Sequence, residues 1–355
     1  MLARPLLDFL TNPGHFVQQA DGARWTAFLQ LARQHGLTAR CYYMLQSQGL
    51  MSQVPEQIRL HGLSAARYSK KQQHSLFYEL QQLEAVFGRA DFPCVLLKGA
   101  AYRALALPMS YGRLFADIDL LVPKAQLRSA RDKLFFAGFA ELPLSDYDRA
   151  YYLTWSHQNP PLQHYQRGTV IDLHHHIYPP ASAKHIDIQV LLEHATPLPG
   201  SAFLVPTLAH LFLHAAVHLF YQEETHRLLK DIIDLQDLLN EVQQQQQLEF
   251  IWQQAQQMQV QSALVDACQV LLTLFDNQAA RQLLTQHSVV RRQRLGASLV
   301  LAMLTGTGMT AWAARQLWFL RGHSLKMRWH ILLYHAVAKP ANGLRQLWRS
   351  KLKPR

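Results

Sequence analysis

An α+β fold follows from how hydrophobic periodicity is distributed along this chain of 355 residues. Towards both ends, apolar residues recur at three- and four-residue spacing. Between Pro93 and His176, short apolar runs of strand length alternate with helical stretches. A hydrophobic content of 49% is enough to bury one large core or two smaller ones, which allows two or three subdomains.

Taken in order, residues 23–33 and 38–48 have helical spacing and are separated by His35-Gly36, a C-terminal stop signal. Pro55 opens a long helical segment to about residue 89, with Leu76, Leu80, Leu83 and Phe87 along one side. The middle reads as strand 94–97, a helix from residue 100, strand 116–122, helix 124–137 and strand 169–175. Gln166-Arg-Gly-Thr169 supplies a turn that pairs the last strand with residues 162–165 as an antiparallel hairpin. Pro206 suits a first helical turn ahead of a helix over 208–221. A second helix runs from about 225 to 242, where the run Gln243 to Gln247 reads as a polar, solvated breaker. The division is a helical region over 1–90, a core of strands and helices over 91–200, a helical region over 201–290 and a basic, Trp-rich helical tail over 291–355.

Composition narrows the setting. Met1-Leu-Ala-Arg-Pro-Leu-Leu-Asp8 has a proline and an acid where a secretory signal needs an unbroken apolar stretch. Cys41, Cys94 and Cys268 are few and far apart, which argues for a reducing cytoplasm and against a thiolate metal site. The net charge of +11 is uneven: from residue 277 to the end there are 14 Lys and Arg and no Asp or Glu, which leaves −3 for everything before. A nearly neutral body with a basic tail suggests a docking surface for a phosphate-rich partner, anionic lipid or nucleic acid. Residues 295–314 carry no charge and are long enough to cross a bilayer, but Thr305-Gly-Thr-Gly308 interrupts them between basic flanks. A buried or interfacial helix pair is the expectation there.

The chemistry is concentrated in Phe115-Ala-Asp-Ile-Asp-Leu-Leu-Val122. On a strand, Asp117 and Asp119 project from the same face, and a divalent cation between them removes the cost of placing two carboxylates in an apolar segment. Val95-Leu-Leu-Lys-Gly-Ala-Ala101 reads as a strand ending in a glycine turn with Lys98 at its tip, an arrangement suited to phosphate. Val170-Ile-Asp-Leu173 offers Asp172 as a third carboxylate on another short strand. Three carboxylates on adjacent strands can hold the two Mg²⁺ of a nucleotidyl-transfer site, one activating the attacking hydroxyl and the other holding the triphosphate.

This ordered series resembles the nucleotidyltransferase superfamily that includes polymerase β, and in detail its uncharacterised nucleotidyltransferase family. The resembling features are Leu97-Lys-Gly99, Arg113, Asp117-Ile-Asp-Leu-Leu-Val122, Ile171-Asp-Leu-His174, and a later helix with His214 and His218 followed by Lys230-Asp231, over residues 6–320. The resemblance implies a polymerase-β-like core with a short mixed sheet and transfer of a nucleoside monophosphate from a nucleoside triphosphate, with release of pyrophosphate. It implies metal ligation by Asp117, Asp119 and Asp172, and phosphate contact through Lys98, Gly99 and Arg113. His174, His214, His218, Lys230 and Asp231 fall on the acceptor side, with Arg227 a weaker candidate. Two departures stand out: Ala100 replaces a hydroxyl residue that many members carry after the glycine, and Gly99 and Asp117 are 18 positions apart. The extra length predicts that residues 109–113 overhang the nucleotide.

Other readings stay open from sequence. His210, His214 and His218 recur every four residues and His174 to His176 are consecutive, which fits zinc ligands, hydrogen-bonded structural histidines or groups facing the cleft. Asp231 and Asp234 fit a solvated helix face as well as a pocket wall. In the tail, residues 321–334 and 343–352 mix Trp with Lys and Arg. That composition suits peripheral contact with the inner face of an anionic membrane, or ordinary helix packing with a basic outer face. No polymerase thumb or strand-tracking motif is present, so the acceptor expected is a small molecule or sugar-type metabolite. A protein hydroxyl is the next choice, and a nucleotide-binding scaffold without turnover is the alternative.

Overall fold

A computed structural model describes residues 4–182, 184–289, 294–334 and 338. The N-terminal helices are α1 (Arg4–Thr11), α2 (Pro13–Gln19), α3 (Gly22–Gln34), α4 (Thr38–Ser47) and the 32-residue α5 (Glu56–Phe87). Local chemistry sets their ends. The Asn12 and Asp21 side chains accept from the backbone N–H of His15 and Arg24, and Gly36 takes a φ of +67° after α3. Phe9, Phe16, Trp25 and Phe28 form an aromatic cluster, with ring centroids 4.7–5.7 Å apart, that fastens the first three helices together.

The middle of the chain contains β1 (Val95–Leu96), α6 (Lys98–Ala104), β2 (Ile118–Leu121), α7 (Leu127–Phe136), β3 (Phe139–Glu141), α8 (Asp146–Trp155), β4 (Leu162–His164), β5 (Val170–His174), α9 (Gln189–Glu193), β6 (Thr196–Pro197) and β7 (Leu204–Val205). Among the described residues, seven strands join one mixed sheet in the order β3-β4-β5-β2-β1-β7-β6. Its centre is the parallel pair β2–β5, in which Asp119 lies opposite Asp172 and Leu121 opposite His174. β1 runs antiparallel to β2, and β4–β5 is the hairpin expected from the Gln166–Thr169 turn. β2 is buried throughout, so its two outer neighbours and the helices exclude water from both faces.

Helix α5 braces the edge of this sheet with polar side chains. Glu79, 2% exposed, accepts two hydrogen bonds from the Arg167 guanidinium at 2.8 and 2.7 Å and a third from Thr169 Oγ1 at 2.9 Å. Ser69 and Gln73 donate to the carbonyls of Arg113 and Ser110. These bonds satisfy backbone groups of loops that would otherwise be buried without partners.

The remaining helices are α10 (Leu208–Phe220), α11 (Leu228–Gln244), α12 (Leu248–Gln257), α13 (Gln261–Phe275), α14 (Gln278–Gln286), α15 (Leu295–Thr305) and α16 (Gly308–Lys326). Pro206 is not in the first turn of α10. Thr207 is the cap, accepting from the His210 N–H, and Pro206 precedes it in the chain. The uncharged stretch 295–314 breaks at Gly306-Thr307 into α15 and the start of α16, which pack against each other as the expected pair. No helix among the described residues is long and apolar enough to cross a membrane. Buried apolar residues from Leu6 to Trp318 form one contiguous core. The helix expected over 343–352 lies outside the described residues.

Candidate functional site

The register of β2 against β5 builds the centre of the site. Because Asp119 and Asp172 are directly opposite across a parallel pair, their side chains leave the sheet together, and His174, two residues beyond Asp172, leaves on the same face. One carboxylate oxygen from each aspartate and one imidazole nitrogen lie within 4.8 Å of one another, close enough to hold one metal ion. Asp119 is 3% exposed and His174 is 1% exposed. His174 Nε2 is 2.9 Å from Asp119 Oδ1, which fixes the carboxylate's orientation. Asp117 lies one residue ahead of β2, half-buried and outside this three-residue group, at the mouth of the site. Of the expected three carboxylates, the structure brings Asp119 and Asp172 together and adds a histidine.

Lys98 reaches the centre from the turn after β1. The backbone N–H of Leu97 donates to the Asp119 carbonyl, and Lys98 then takes a φ of +45°. That left-handed conformation is uncommon for a residue with a Cβ and carries strain on the order of 1 kcal/mol or more. Its ammonium donates to Asp119 Oδ1 at 2.8 Å. Burial alone would raise the Asp119 pKa, but Lys98 and His174 outweigh it and hold the carboxyl well below its ordinary range. Burial likewise opposes the charge on Lys98, and Asp119 overcomes it so that the ammonium's pKa is raised. Asp172 is raised by burial, with Asp119 and Asp117 adding in the same direction. The two facing carboxyls are thus shifted in opposite directions, Asp119 downward by Lys98 and His174 and Asp172 upward chiefly by burial.

Gly99 has a packing reason. A Cβ there would lie 3.1 Å from both Arg113 Nε and the Phe115 ring, tighter than ordinary contact. Arg113 stacks 5.2 Å over Tyr102 and pairs with Asp234. Asp234 is itself buried, accepts from Arg40 at 2.7 Å and sits 4.0 Å from Lys230. Burial would raise Asp234, but Arg113, Lys230 and Arg40 bring it down to about 2. The bland reading of this helix face as solvated therefore fails for Asp234, which is the shared anion of two guanidinium groups. The loop over 109–113 also differs from expectation. Met109 and Ser110 are fully buried, and Gly112, at φ +74°, lies against the Arg40 backbone, so this segment is part of the wall and not an overhanging flap.

Two clefts meet at the carboxylates. The first, about 510 Å³, is lined by Lys98, Gly99, Arg113, Asp117, Asp119, His218, Lys230 and Asp231. The second, about 420 Å³, is lined by Lys98, Asp117, Asp172 and His218 together with Tyr151, Tyr152, His157, Gln158, Gln222 and Lys326. Burial, with Lys98 next, lowers His214 to about 3 and His218 well below its usual value, so both imidazoles are neutral. Lys230, 3.7 Å from Asp231, has its pKa lowered by burial and then by Arg113, while burial raises Asp231. The other histidines separate from the site. His210 bonds Thr207 and Gln254, His175 the Ser156 carbonyl and His176 the Ile186 carbonyl. A third cavity of about 470 Å³, with Arg40 and Asp237 in its wall, is lined by none of Asp117, Asp119 and Asp172.

Sequence reasoning missed Arg40, the tyrosines of α8 and His157, whose ring centroid is 5.3 Å from that of His174. Arg40 falls at helical spacing between the apolar residues Leu37 and Met44, the one available signal. His157 is a lone histidine in a loop and gave none.

The parallel centre of the mixed sheet thus presents two carboxylates and a buried histidine, beside a lysine turn, with a geometry compatible with one metal ion. The chain belongs to the uncharacterised nucleotidyltransferase family, whose model matches residues 21–276. No curated protein and no solved structure matches it.

Proposed function

We propose that the protein is a metal-dependent nucleotidyltransferase with a polymerase-β-like core, moving a nucleoside monophosphate from a nucleoside triphosphate to a hydroxyl or phosphate of a small-molecule or sugar-type acceptor. The observation that carries this reading is the in-register pair Asp119–Asp172 at the junction of two clefts, because a transfer between two substrates needs one reacting centre accessible from both sides.

The residues fit Mg²⁺. Asp119 and Asp172, with Asp117 at the mouth, form an oxygen-rich, hard donor set. When bound there, Mg²⁺ neutralises the triphosphate and lowers the cost of ionising the acceptor hydroxyl. His174 holds Asp119 in orientation. The first cleft takes the triphosphate, where Lys98 and Lys230 supply cations to its oxygens and Arg113, anchored by Asp234, shapes the wall. The second takes the acceptor, whose oxygen lies on the Asp172 side. In the transfer, that oxygen bonds to the α-phosphorus, the bond from the α-phosphorus to the bridging oxygen of the β-phosphate breaks, and pyrophosphate leaves. The acceptor's proton passes to Asp172 or to water. Tyrosine hydroxyls, glutamine amides and neutral imidazoles in the second cleft suit a polyhydroxylated acceptor. The three cysteines are all free and buried, which supports a reducing, cytoplasmic setting.

The test is calorimetric titration with ATP, GTP, CTP and UTP with and without Mg²⁺, followed by assay of pyrophosphate release with fractionated small-molecule extract. Expected is Mg²⁺-dependent binding of at least one triphosphate, weakened by Lys98→Ala, and release that requires the extract. No triphosphate binding by the wild type overturns the reading. Binding without release from any fraction assigns the chain as a nucleotide-binding scaffold.

A further inference from the structure

Helix α16 is apolar on two sides, and the described residues cover only one of them. Its inner face is seated: Trp318 is fully buried, Arg321 donates to the Phe220 carbonyl and pairs with Asp266, and Lys326 pairs with Glu223 at 3.0 Å. A Cβ on Gly322 would lie 2.7 Å from the Glu223 Cα, so the helix backbone rests directly on the chain after α10. The outer face carries Met309, Trp312, Leu317, Phe319 and Leu320 in open solvent, with Met309 82% and Leu320 63% exposed. Spacing of three, seven, ten and eleven residues from Met309 puts Trp312, Gln316, Phe319 and Leu320 on one stripe, with Leu317 at its edge. Beyond the break at Met327 the exposed apolar surface continues at Trp329, 74% exposed, and Leu333. A contiguous stripe of this kind is more than scattered surface apolar residues require.

We infer that this face docks in the plane of an anionic lipid surface. The charge pattern selects that occupant. From residue 277 to residue 355 the chain carries 14 Lys and Arg and no acidic residue; within α16, Arg321 and Lys326 are paired on the inner face and Arg315 is exposed. A second copy placed on this face would bring two strongly cationic segments together, whereas an anionic headgroup layer attracts them. Tryptophans sit at headgroup depth, with aliphatic side chains below and lysines and arginines pairing with phosphates. Helix α16 lies along the surface and does not cross it, in keeping with the absence of a bilayer-length apolar helix among the described residues. The inference does not depend on the nucleotidyl-transfer reading, since none of these side chains touches the carboxylates.

The experiment is co-sedimentation of the full chain with vesicles of phosphatidylcholine alone and of phosphatidylcholine with phosphatidylglycerol, at low and high ionic strength. The wild type is compared with the double variant Trp312→Ser, Phe319→Ser and with a chain ending at residue 338. Both substituted side chains are exposed, so an unchanged melting temperature is the folding control. Expected is pelleting with the anionic vesicles only, fading with salt, and a loss on the order of tenfold in the double variant. The inference is overturned by equal pelleting with both vesicle types, by pelleting with neither, or by a double variant that pellets like the wild type. It is also overturned if the shortened chain binds more strongly than the full one, which would assign the face to the chain's own C-terminus. Concentration-dependent dimerisation abolished by the double variant would assign it to a second copy and overturn it too.

Discussion

On the proposed reading, replacing Asp119 and Asp117 separately by asparagine separates a residue that both builds and serves the site from one that only serves it. Each change is nearly isosteric and removes one negative charge. Asp119 is almost fully buried and is the only described carboxylate within hydrogen-bond distance of both Lys98, at 2.8 Å, and His174, at 2.9 Å. Breaking a buried pair from one side costs about 3–5 kcal/mol. The Lys98 side chain is 24% exposed and has Asp117 and Asp172 nearby, and removing one of three clustered carboxylates relieves repulsion on Asp172, so the net cost is nearer 2 kcal/mol. That lowers the melting temperature of the metal-free protein by several degrees, at roughly 2–4 °C per kcal/mol. Asp117 is half-buried and belongs to no described ion pair, so Asp117→Asn leaves the melting temperature within about a degree. In Mn²⁺ titrations followed by paramagnetic resonance, both variants bind the ion at least tenfold more weakly, and both lower pyrophosphate release on the order of a hundredfold or more. Wild-type ion affinity in Asp119→Asn refutes the site, and a larger melting shift in Asp117→Asn than in Asp119→Asn refutes the structural division between them.

Asp234→Asn leaves Arg113 without its carboxylate and Arg40 with Asp237 alone, at a cost of about 3–5 kcal/mol. A melting temperature on the order of 10 °C lower is expected, and an unchanged one would show that the pairing carries no weight. His210 provides the pH test. Burial lowers it to about 4, so its neutral form stabilises the fold above the ordinary histidine value of 6.5. That stability is lost as pH falls from 6.5 through 4, because the unfolded chain takes up the proton first. Denaturant titrations of wild type and His210→Gln between about pH 7.5 and about pH 5 should show the wild type losing roughly 2 kcal/mol more, and parallel pH profiles would exclude the residue.

The helices were legible where an apolar stripe coincides with local punctuation. His35-Gly36, Pro55 and the glutamine run marked ends that the structure places within a few residues. The short strands β3, β6 and β7 were not legible, since two or three residues carry no period and their pairing is decided by distant partners. Pro206 misled for a local reason: its fixed φ suits the residue before an extended cap as well as a first helical turn, and the Thr207 hydroxyl decided between them.

The site was legible to the extent that it follows strand periodicity. Asp119 and Asp172 could be read because each interrupts an apolar strand, and the assumption that adjacent strands share a face carried them together. Asp117 lies one residue ahead of β2, which begins at Ile118, and lines both clefts, so strand periodicity brought it to the site but not into the three-residue group. What one-dimensional reading could not reach is the second half of the charge balance. Lys98 meets Asp119 because a single residue adopts the left-handed region after β1, and Arg113 is held by an aspartate 121 positions away that also serves Arg40. Neither arrangement leaves a spacing in the sequence. The Arg40–Asp234–Arg113 chain joins the N-terminal helices to the wall of the first cleft through α11, so a helix that looked like a lead-in segment sets the position of a cleft residue. A charge-conserving Arg40→Lys change should therefore alter triphosphate affinity without touching a residue that lines either cleft at the carboxylates, since lysine cannot bridge Asp234 and Asp237 with a planar fork.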